Sequence, residues 1–159
     1  AQSKTEAWTR VRSVNLPSVQ SLYHQIVPPL LQPVEPQPKT PLGWMSNDGA
    51  KCHVSVTHGG QGIVLTPLIH PEAIDVSAKL AALISNLPDR RSRPVYVCVR
   101  SYQAWLEPVL ADLGAKSGPR QAVMVKHLAR LVKEGLPASA VPKGVSVQPS
   151  RVSRIEGKK

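Results

Sequence analysis

The stretch Ile63-Val64-Leu65-Thr66-Pro67-Leu68-Ile69-His70-Pro71 decides the fold of this chain. Its first seven residues are mostly apolar and branched, which is typical of a strand covered on both faces. After it, apolar residues recur three or four apart and predict a helix with one apolar stripe, formed by Ala73, Val76, Leu80, Leu83, Ile84 and Leu87. Asp75 and Lys79 lie four apart and fit the solvated side of that helix. A strand that leads so closely into a helix indicates a layered α/β or α+β domain.

The composition fits one domain that folds without disulfide bonds. The chain has 159 residues, 42% of them apolar and none of them Phe, so aliphatic side chains must fill most of the interior. It contains no run of about 18 apolar residues and no charged-then-apolar leader, so we expect a cytoplasmic protein. Cys52 and Cys98 are expected to be buried thiols, with a bridge between them left open. The start at Ala1 suggests a piece of a longer protein.

The positive charge is concentrated towards the end of the chain. Residues 116–159 carry ten basic and two acidic residues, a net charge of +8 out of +10 for the whole chain. The densest basic group before them is Arg90, Arg91 and Arg93. Such a field favours polyanions: nucleic acid, an acidic protein partner or the phosphates of a nucleotide cofactor. The predicted contacts are Arg90, Arg91, Arg93, Lys126, Arg130, Arg151 and Arg154. The alternative is a solvated loop with a solubilising tail, and the few aromatic residues do not favour base stacking.

The segments before the central strand are predicted from periodicity and turn residues. Residues 8–14 alternate like a half-exposed strand, and a helix follows in which Pro17 suits the first turn. Its apolar stripe is Val19, Leu22, Tyr23, Ile26 and Val27. Residues 28–41 contain six prolines and are read as an extended connector, with a recognition segment as the alternative. Residues 42–57 predict two strands around Asn47-Asp48-Gly49, since Asp-Gly accommodates a positive φ.

The remaining segments complete an alternating order of strands and helices. Residues 95–99 are predicted to be a strand, and residues 102–113 a helix that Pro108 bends or splits. Residues 121–128 are predicted to be a last strand. We therefore expect one domain over residues 1–130 and a basic, mostly disordered tail, rich in Pro, Ser and Gly, over residues 131–159.

Three motifs in this order resemble the GNAT superfamily of N-acetyltransferases. They are Leu68-Ile69-His70-Pro71 before a helix, Val95-Tyr96-Val97-Cys98-Val99 before another, and Leu110-Ala111-Asp112-Leu113-Gly114 before a final strand. The likeness covers about residues 7–130 and is nearest to the C-terminal half of two-domain bacterial GNAT-like proteins. It implies a mixed, mostly antiparallel sheet flanked by helices, acetyl-CoA as cofactor and a second GNAT-like half as a partner. The residues that match its cofactor corner are Leu68, Ile69, His70, Ala73 and Ile74.

The chain departs from that family where the chemistry would lie. In active members a glycine-rich turn cradles the pyrophosphate of acetyl-CoA, whereas residues 71–79 here contain no Gly and place Glu72 and Asp75 there. Leu110 stands where many members have the Tyr that protonates the leaving thiolate. No catalytic residue is therefore assigned. We expect N-acyl transfer that is weakened or lost, and the alternative is a non-catalytic scaffold or subunit that binds an acidic partner or a nucleic-acid assembly.

The histidines offer little further chemistry. Cys52, His53 and His58 are close in sequence, but Cys52 and His53 would point to opposite faces of a strand and no second pair of ligands follows, so no metal site is predicted. His70 and His127 are candidate general bases, or more simply polar residues that are partly buried.

Overall fold

The computed structural model describes residues 7–122 and Met124. The chain divides into two units, residues 1–123 and 124–159, and the following description concerns the first. Its regular elements are β1 Trp8–Arg10, α1 Leu16–Ile26, β2 Trp44–Ser46, β3 Cys52–His58, β4 Ile63–Ile69, α2 Val76–Ser85, β5 Val95–Val97 and α3 Leu106–Asp112. Two 3-10 helices, Ser13–Asn15 and Ser101–Gln103, precede α1 and α3.

The strands form one sheet in chain order, from β1 to β5. Each neighbouring pair from β1 to β4 is antiparallel, whereas β5 runs parallel to β4. The parallel pair arises because α2 carries the chain back to the start of β4, as a crossover helix must. This mixed, mostly antiparallel sheet with flanking helices confirms the predicted α+β class.

The larger core lies between the sheet and the helices α2 and α3. It is built from every second residue of β4 and from the predicted stripe of α2, and includes Ile63, Leu65, Ile69, Leu80, Leu83, Leu87, Leu106 and Leu110. The indole Nε1 of Trp8 donates a hydrogen bond to the Lys79 carbonyl at 2.7 Å, which joins β1 to α2. The side chains that the sequence pattern placed inside therefore form the core.

The opposite face of the sheet is covered only in part. Val11, Val19 and Met45 form a smaller cluster where α1 lies on it. Val64, in the middle of the sheet, keeps 37% of its surface exposed. The expectation of a strand covered on both faces is therefore wrong for β4, because α1 has only eleven residues and reaches only part of this face.

Local signals located the helices well. Pro17 lies in the first turn of α1, and Val19, Leu22 and Tyr23 are buried as predicted. Asn15 occupies the N-cap position without capping α1; its Oδ1 instead accepts a hydrogen bond from the Arg12 amide at 3.2 Å. The predicted last helix is split, with Pro108 in the first turn of α3, where a missing N–H costs little.

Some sequence predictions fall outside the described residues. Gln121, Ala122 and Met124 have no regular structure, and the rest of the predicted last strand lies among residues that the structure does not describe, as does the predicted tail. Within residues 7–122, the longest helix has eleven residues, and none has the length and apolar character required to cross a membrane.

Candidate functional site

Strands β4 and β5 stay together for only part of their length. Residues 95–97 pair with residues 63–65, and the Cys98 amide donates one further hydrogen bond to the Leu65 carbonyl at 2.8 Å. Beyond that point β4 continues through residues 66–69 with β3 as its neighbour. We call the space beside residues 66–69, on the side that β5 has left, the strand gap. It lies directly before His70, at the corner that the family resemblance assigns to the cofactor.

One side chain from outside the sheet forms a hydrogen bond with the backbone of β4 in the strand gap. The Gln103 amide Nε2 donates a hydrogen bond to the Ile69 carbonyl at 2.8 Å, and only 1% of Gln103 is exposed. Gln103 Oε1 is buried and has no hydrogen-bond partner among the described residues. The buried Gln103 side chain thus takes up hydrogen-bonding capacity of the Ile69 carbonyl on the side of the strand gap.

At the corner after β4, two backbone amide groups donate hydrogen bonds within the corner itself. The Ala73 amide donates to the His70 carbonyl at 2.9 Å, and the Glu72 amide donates to His70 Nδ1 at 3.2 Å. Glu72 is also exposed, with its carboxylate 3.5 Å from Lys51 Nζ. The corner thus offers an anion fewer free N–H groups than a glycine-rich turn, and it adds a negative charge.

The five predicted cofactor residues do not form one site. Ile69 is fully buried in the core, Ala73 packs against that core, and Ile74 is 69% exposed. Leu68 is half-buried on the α1 side of the sheet. His70 lines a cavity of about 350 Å³ on that side, together with Ser18, Ser21, Leu22, Gln25, Gly49, Ala50, Lys51 and Glu72.

The proline-rich connector is tied to the chain just after β5. Glu35 accepts a hydrogen bond from the Tyr102 hydroxyl at 2.8 Å, and its other carboxylate oxygen lies 3.3 Å from Arg100 Nε. The Tyr23 hydroxyl donates to the Glu35 carbonyl at 2.5 Å. Burial, together with the hydrogen bond and negative charge of Glu35, raises the pKa of Tyr102 well above its usual range. These contacts favour the interpretation of residues 28–41 as a connector pinned to the surface. The expectation that it is extended is wrong for residues 29–34, which form turns: the Leu31 amide donates to the Pro28 carbonyl and the Glu35 amide to the Leu31 carbonyl, each at 2.8 Å.

Basic side chains gather at the other end of β4. Arg10, His58, Asp89, Arg91 and Arg93 line an open depression of about 760 Å³, here called the basic depression. His58 pairs with Ile63, the first residue of β4, so seven residues at about 3.3 Å each separate this depression from the His70 corner. The two regions are therefore about 20 Å apart along the strand.

The loop that supplies Asp89, Arg91 and Arg93 has an unusual backbone. Asp89, Arg91 and Ser92 have φ values of 57°, 37° and 64°, in the left-handed region that non-glycine residues rarely adopt. Arg93 holds the loop in shape, since its Nη2 donates to the Asp89 carbonyl at 2.7 Å. The side chains of Arg10 and Arg91 make no hydrogen bond or ion pair with any described residue.

Sequence reasoning found part of this basic depression. It named Arg91 and Arg93, whereas Arg90 turns away and reaches the Ile84 carbonyl at 3.4 Å. It missed Arg10 and His58, which come from β1 and the end of β3 and join the others only through the sheet. The other predicted contacts, Lys126, Arg130, Arg151 and Arg154, lie outside the described residues.

The cysteines and histidines form no metal-binding group in residues 7–122. Cys52 is buried on the α2 side, while His53 is buried on the opposite face and its Nε2 contacts the Leu42 carbonyl at 2.9 Å. Burial lowers the pKa of His53. Both cysteines are free, and Cys98 is exposed, so the expectation that both thiols are buried is wrong for Cys98. β5 ends at Val97, so Cys98 lies just beyond the strand.

Comparison of the chain with models of protein families, with curated proteins and with solved structures gave no match. The two candidate regions therefore rest on the geometry of this chain.

Proposed function

We propose that this domain is a non-catalytic docking module on a GNAT-like frame, which binds a polyanionic partner and has lost acetyl-CoA-dependent N-acyl transfer. The observation that carries this proposal is the hydrogen bond from Gln103 to the Ile69 carbonyl. It places a buried side chain of the domain itself in the strand gap, where the resemblance implies a cofactor.

The strand gap and the corner beside it both oppose cofactor binding. Pro67 has no N–H, so it removes one donor from β4 on the side of the strand gap. At the corner, Glu72 and Asp75 bring negative charge towards the site of a pyrophosphate. At an effective dielectric constant of about 20, one such charge at about 4 Å opposes an anion by roughly 4 kcal/mol. For Glu72 this is an upper bound, because its carboxylate is exposed and lies 3.5 Å from Lys51 Nζ. Both effects favour a docking role over acyl transfer.

Residual acyl transfer is the second candidate, and the sheet itself favours it. β5 ends its pairing with β4 after residues 63–65 while β4 continues to Ile69, so the carboxyl ends of these two parallel strands separate there, and this supports residual cofactor binding. Gln103, which donates to the Ile69 carbonyl in the strand gap, favours the docking role instead.

A thermal-shift experiment with acetyl-CoA separates the two candidates. A ligand at 100 times its Kd adds about 2.7 kcal/mol to the free energy of unfolding. For a chain of this length that corresponds to roughly 5–10 °C in Tm. We expect 1 mM acetyl-CoA to leave Tm unchanged within about 1 °C. A rise of 5 °C or more, together with acyl transfer to an amine, would show that the strand gap holds the cofactor and that the proposal is wrong.

A further inference from the structure

We infer that the basic depression binds a small ligand with two or more linked phosphates, such as a diphosphate or triphosphate group. This inference rests on the proposed docking function, for which it names the ligand chemistry. Its basis is that Arg10, His58, Arg91 and Arg93 come from three separate parts of the chain and line one open volume.

The guanidinium groups of the basic depression have unused hydrogen-bonding capacity. The side chains of Arg10 and Arg91 have no partner within the described residues, although Asp89 lines the same volume. A guanidinium group presents a planar fork of N–H donors that binds two oxygens of a phosphate at once. Arg10, Arg91 and the remaining donors of Arg93 therefore fit a ligand that offers many anionic oxygens in a small space.

The shape and lining of the basic depression favour linked phosphates over other anions. A carboxylate offers two oxygens to one guanidinium, whereas linked phosphates offer more anionic oxygens in the same small volume and can contact several guanidinium groups at once. A single strand that binds through base stacking needs aromatic side chains, and no Phe, Tyr or Trp is among the five residues that line this volume. Linked phosphates can bind through the guanidinium groups alone and need no aromatic side chain.

The loop backbone agrees with a binding role. Three of its non-glycine residues lie in the left-handed region, and such backbone strain is found at sites that bind ligands. These residues precede Arg93 and include Arg91, so the strained backbone belongs to the segment that supplies basic side chains to the depression.

Isothermal titration of the full chain with inorganic tripolyphosphate at low salt tests this inference. We expect tripolyphosphate to bind at least tenfold more tightly than orthophosphate, than a hexaglutamate peptide or than a single-stranded oligonucleotide. The variant Arg10→Gln/Arg91→Gln should lose at least tenfold in affinity. Both side chains are exposed and unpaired within the described residues, so the variant should fold normally. Arg120→Gln removes an exposed guanidinium elsewhere and should change the affinity by less than twofold.

The inference is overturned if the double variant binds tripolyphosphate as the natural chain does, because the ligand then sits elsewhere. It is also overturned if hexaglutamate or the oligonucleotide binds more tightly than tripolyphosphate and loses that binding in the double variant. Failure of the proposed function would look different. Acetyl-CoA would then stabilise the double variant as much as the natural chain, since binding in the strand gap does not use Arg10 or Arg91.

Discussion

Pro67 lies in the middle of a central strand, where proline usually breaks a ladder of hydrogen bonds. The Ile63 amide and the Leu65 carbonyl bond to the β5 side, so the backbone groups of Pro67 point that way too. β5 has already ended there, and the pairing of β4 with β3 continues without interruption from Ile63 to Ile69. Pro67 is therefore tolerated without a bulge in this strand pair, because the proline removes a donor that has no strand to bond to.

Gln103 should contribute measurably to stability because it is buried and donates to a buried carbonyl. Replacing it by Ala leaves the Ile69 carbonyl without its partner, which costs about 1–3 kcal/mol. We expect Gln103→Ala to lower the free energy of unfolding by that amount in a urea titration. Gln121→Ala, at an exposed position, is the matched control and should change it by less than about 0.5 kcal/mol. Equal stability of the two variants would contradict the role given to Gln103.

At the scale of elements, hydrogen bonds hold the connector, residues 28–41, against α1. Gln20 Nε2 donates to the Pro38 carbonyl at 3.0 Å, and His24 Nε2 lies 2.9 Å from Gln37 Oε1. Together with the contacts of Glu35, these bonds fix residues 32–38 along one side of the helix. A run of prolines has little backbone freedom to lose, so a few side-chain contacts are enough to hold it.

The contact between Glu35 and Tyr102 predicts how stability depends on pH. Burial and Glu35 raise the pKa of Tyr102 in the folded state, while the unfolded chain titrates near the ordinary value of about 10. The unfolded state therefore releases its proton first, and the free energy of unfolding falls as pH rises above about 10. Tyr102→Phe should make this fall shallower in urea titrations between pH 8 and 11. Part of the fall should remain in this variant, because burial and Glu35 also raise the pKa of Tyr23.

Tyr96→Phe is the matched control for that experiment. Tyr96 is exposed and has no contact with Glu35, so its loss should leave the pH dependence as it is in the natural chain. A slope that is the same in Tyr102→Phe and Tyr96→Phe would show that Glu35 does not hold Tyr102 in solution.

The partner of Lys79 shows where element-level reasoning failed. The sequence placed Lys79 on a solvated face four residues after Asp75. Its side chain is only 12% exposed and forms an ion pair with Asp48 of the β2–β3 turn, while Nζ also donates to the Ile74 carbonyl at 2.7 Å. Burial raises the pKa of Asp48, but the hydrogen bond and positive charge of Lys79 act in the opposite direction, and the net shift is downward. A contact over 31 residues cannot be read from helical spacing.

At the scale of the whole molecule, the core of the described residues and most of the net charge lie in different parts of the chain. The buried residues of both core clusters lie between Trp8 and Leu110, whereas residues 116–159 carry most of the net positive charge. The stability of the domain should thus not depend on residues 131–159.

We expect a chain that ends at Arg130 to keep the free energy of unfolding of the full chain within about 0.5 kcal/mol, since no residue of the two core clusters is removed. Urea unfolding measures this directly. A chain that ends at Ala104 loses Leu106 and Leu110, which are buried, and should be strongly destabilised or unfolded; it shows that the assay detects loss of core. A loss of more than about 1 kcal/mol on truncation at Arg130 would mean that residues 131–159 pack on the domain, against the domain boundary proposed from sequence.

The amino-acid sequence by itself determined the order of elements, the buried stripe of α2 and the split before α3, because these depend on the spacing of apolar residues and on proline, which act locally. Tertiary structure alone decided that Gln103 fills the strand gap, that Lys79 pairs with Asp48, and that Arg10 and His58 join Arg91 and Arg93. In each case residues far apart in the chain meet only because the sheet sets their register, and periodicity carries no information about such meetings.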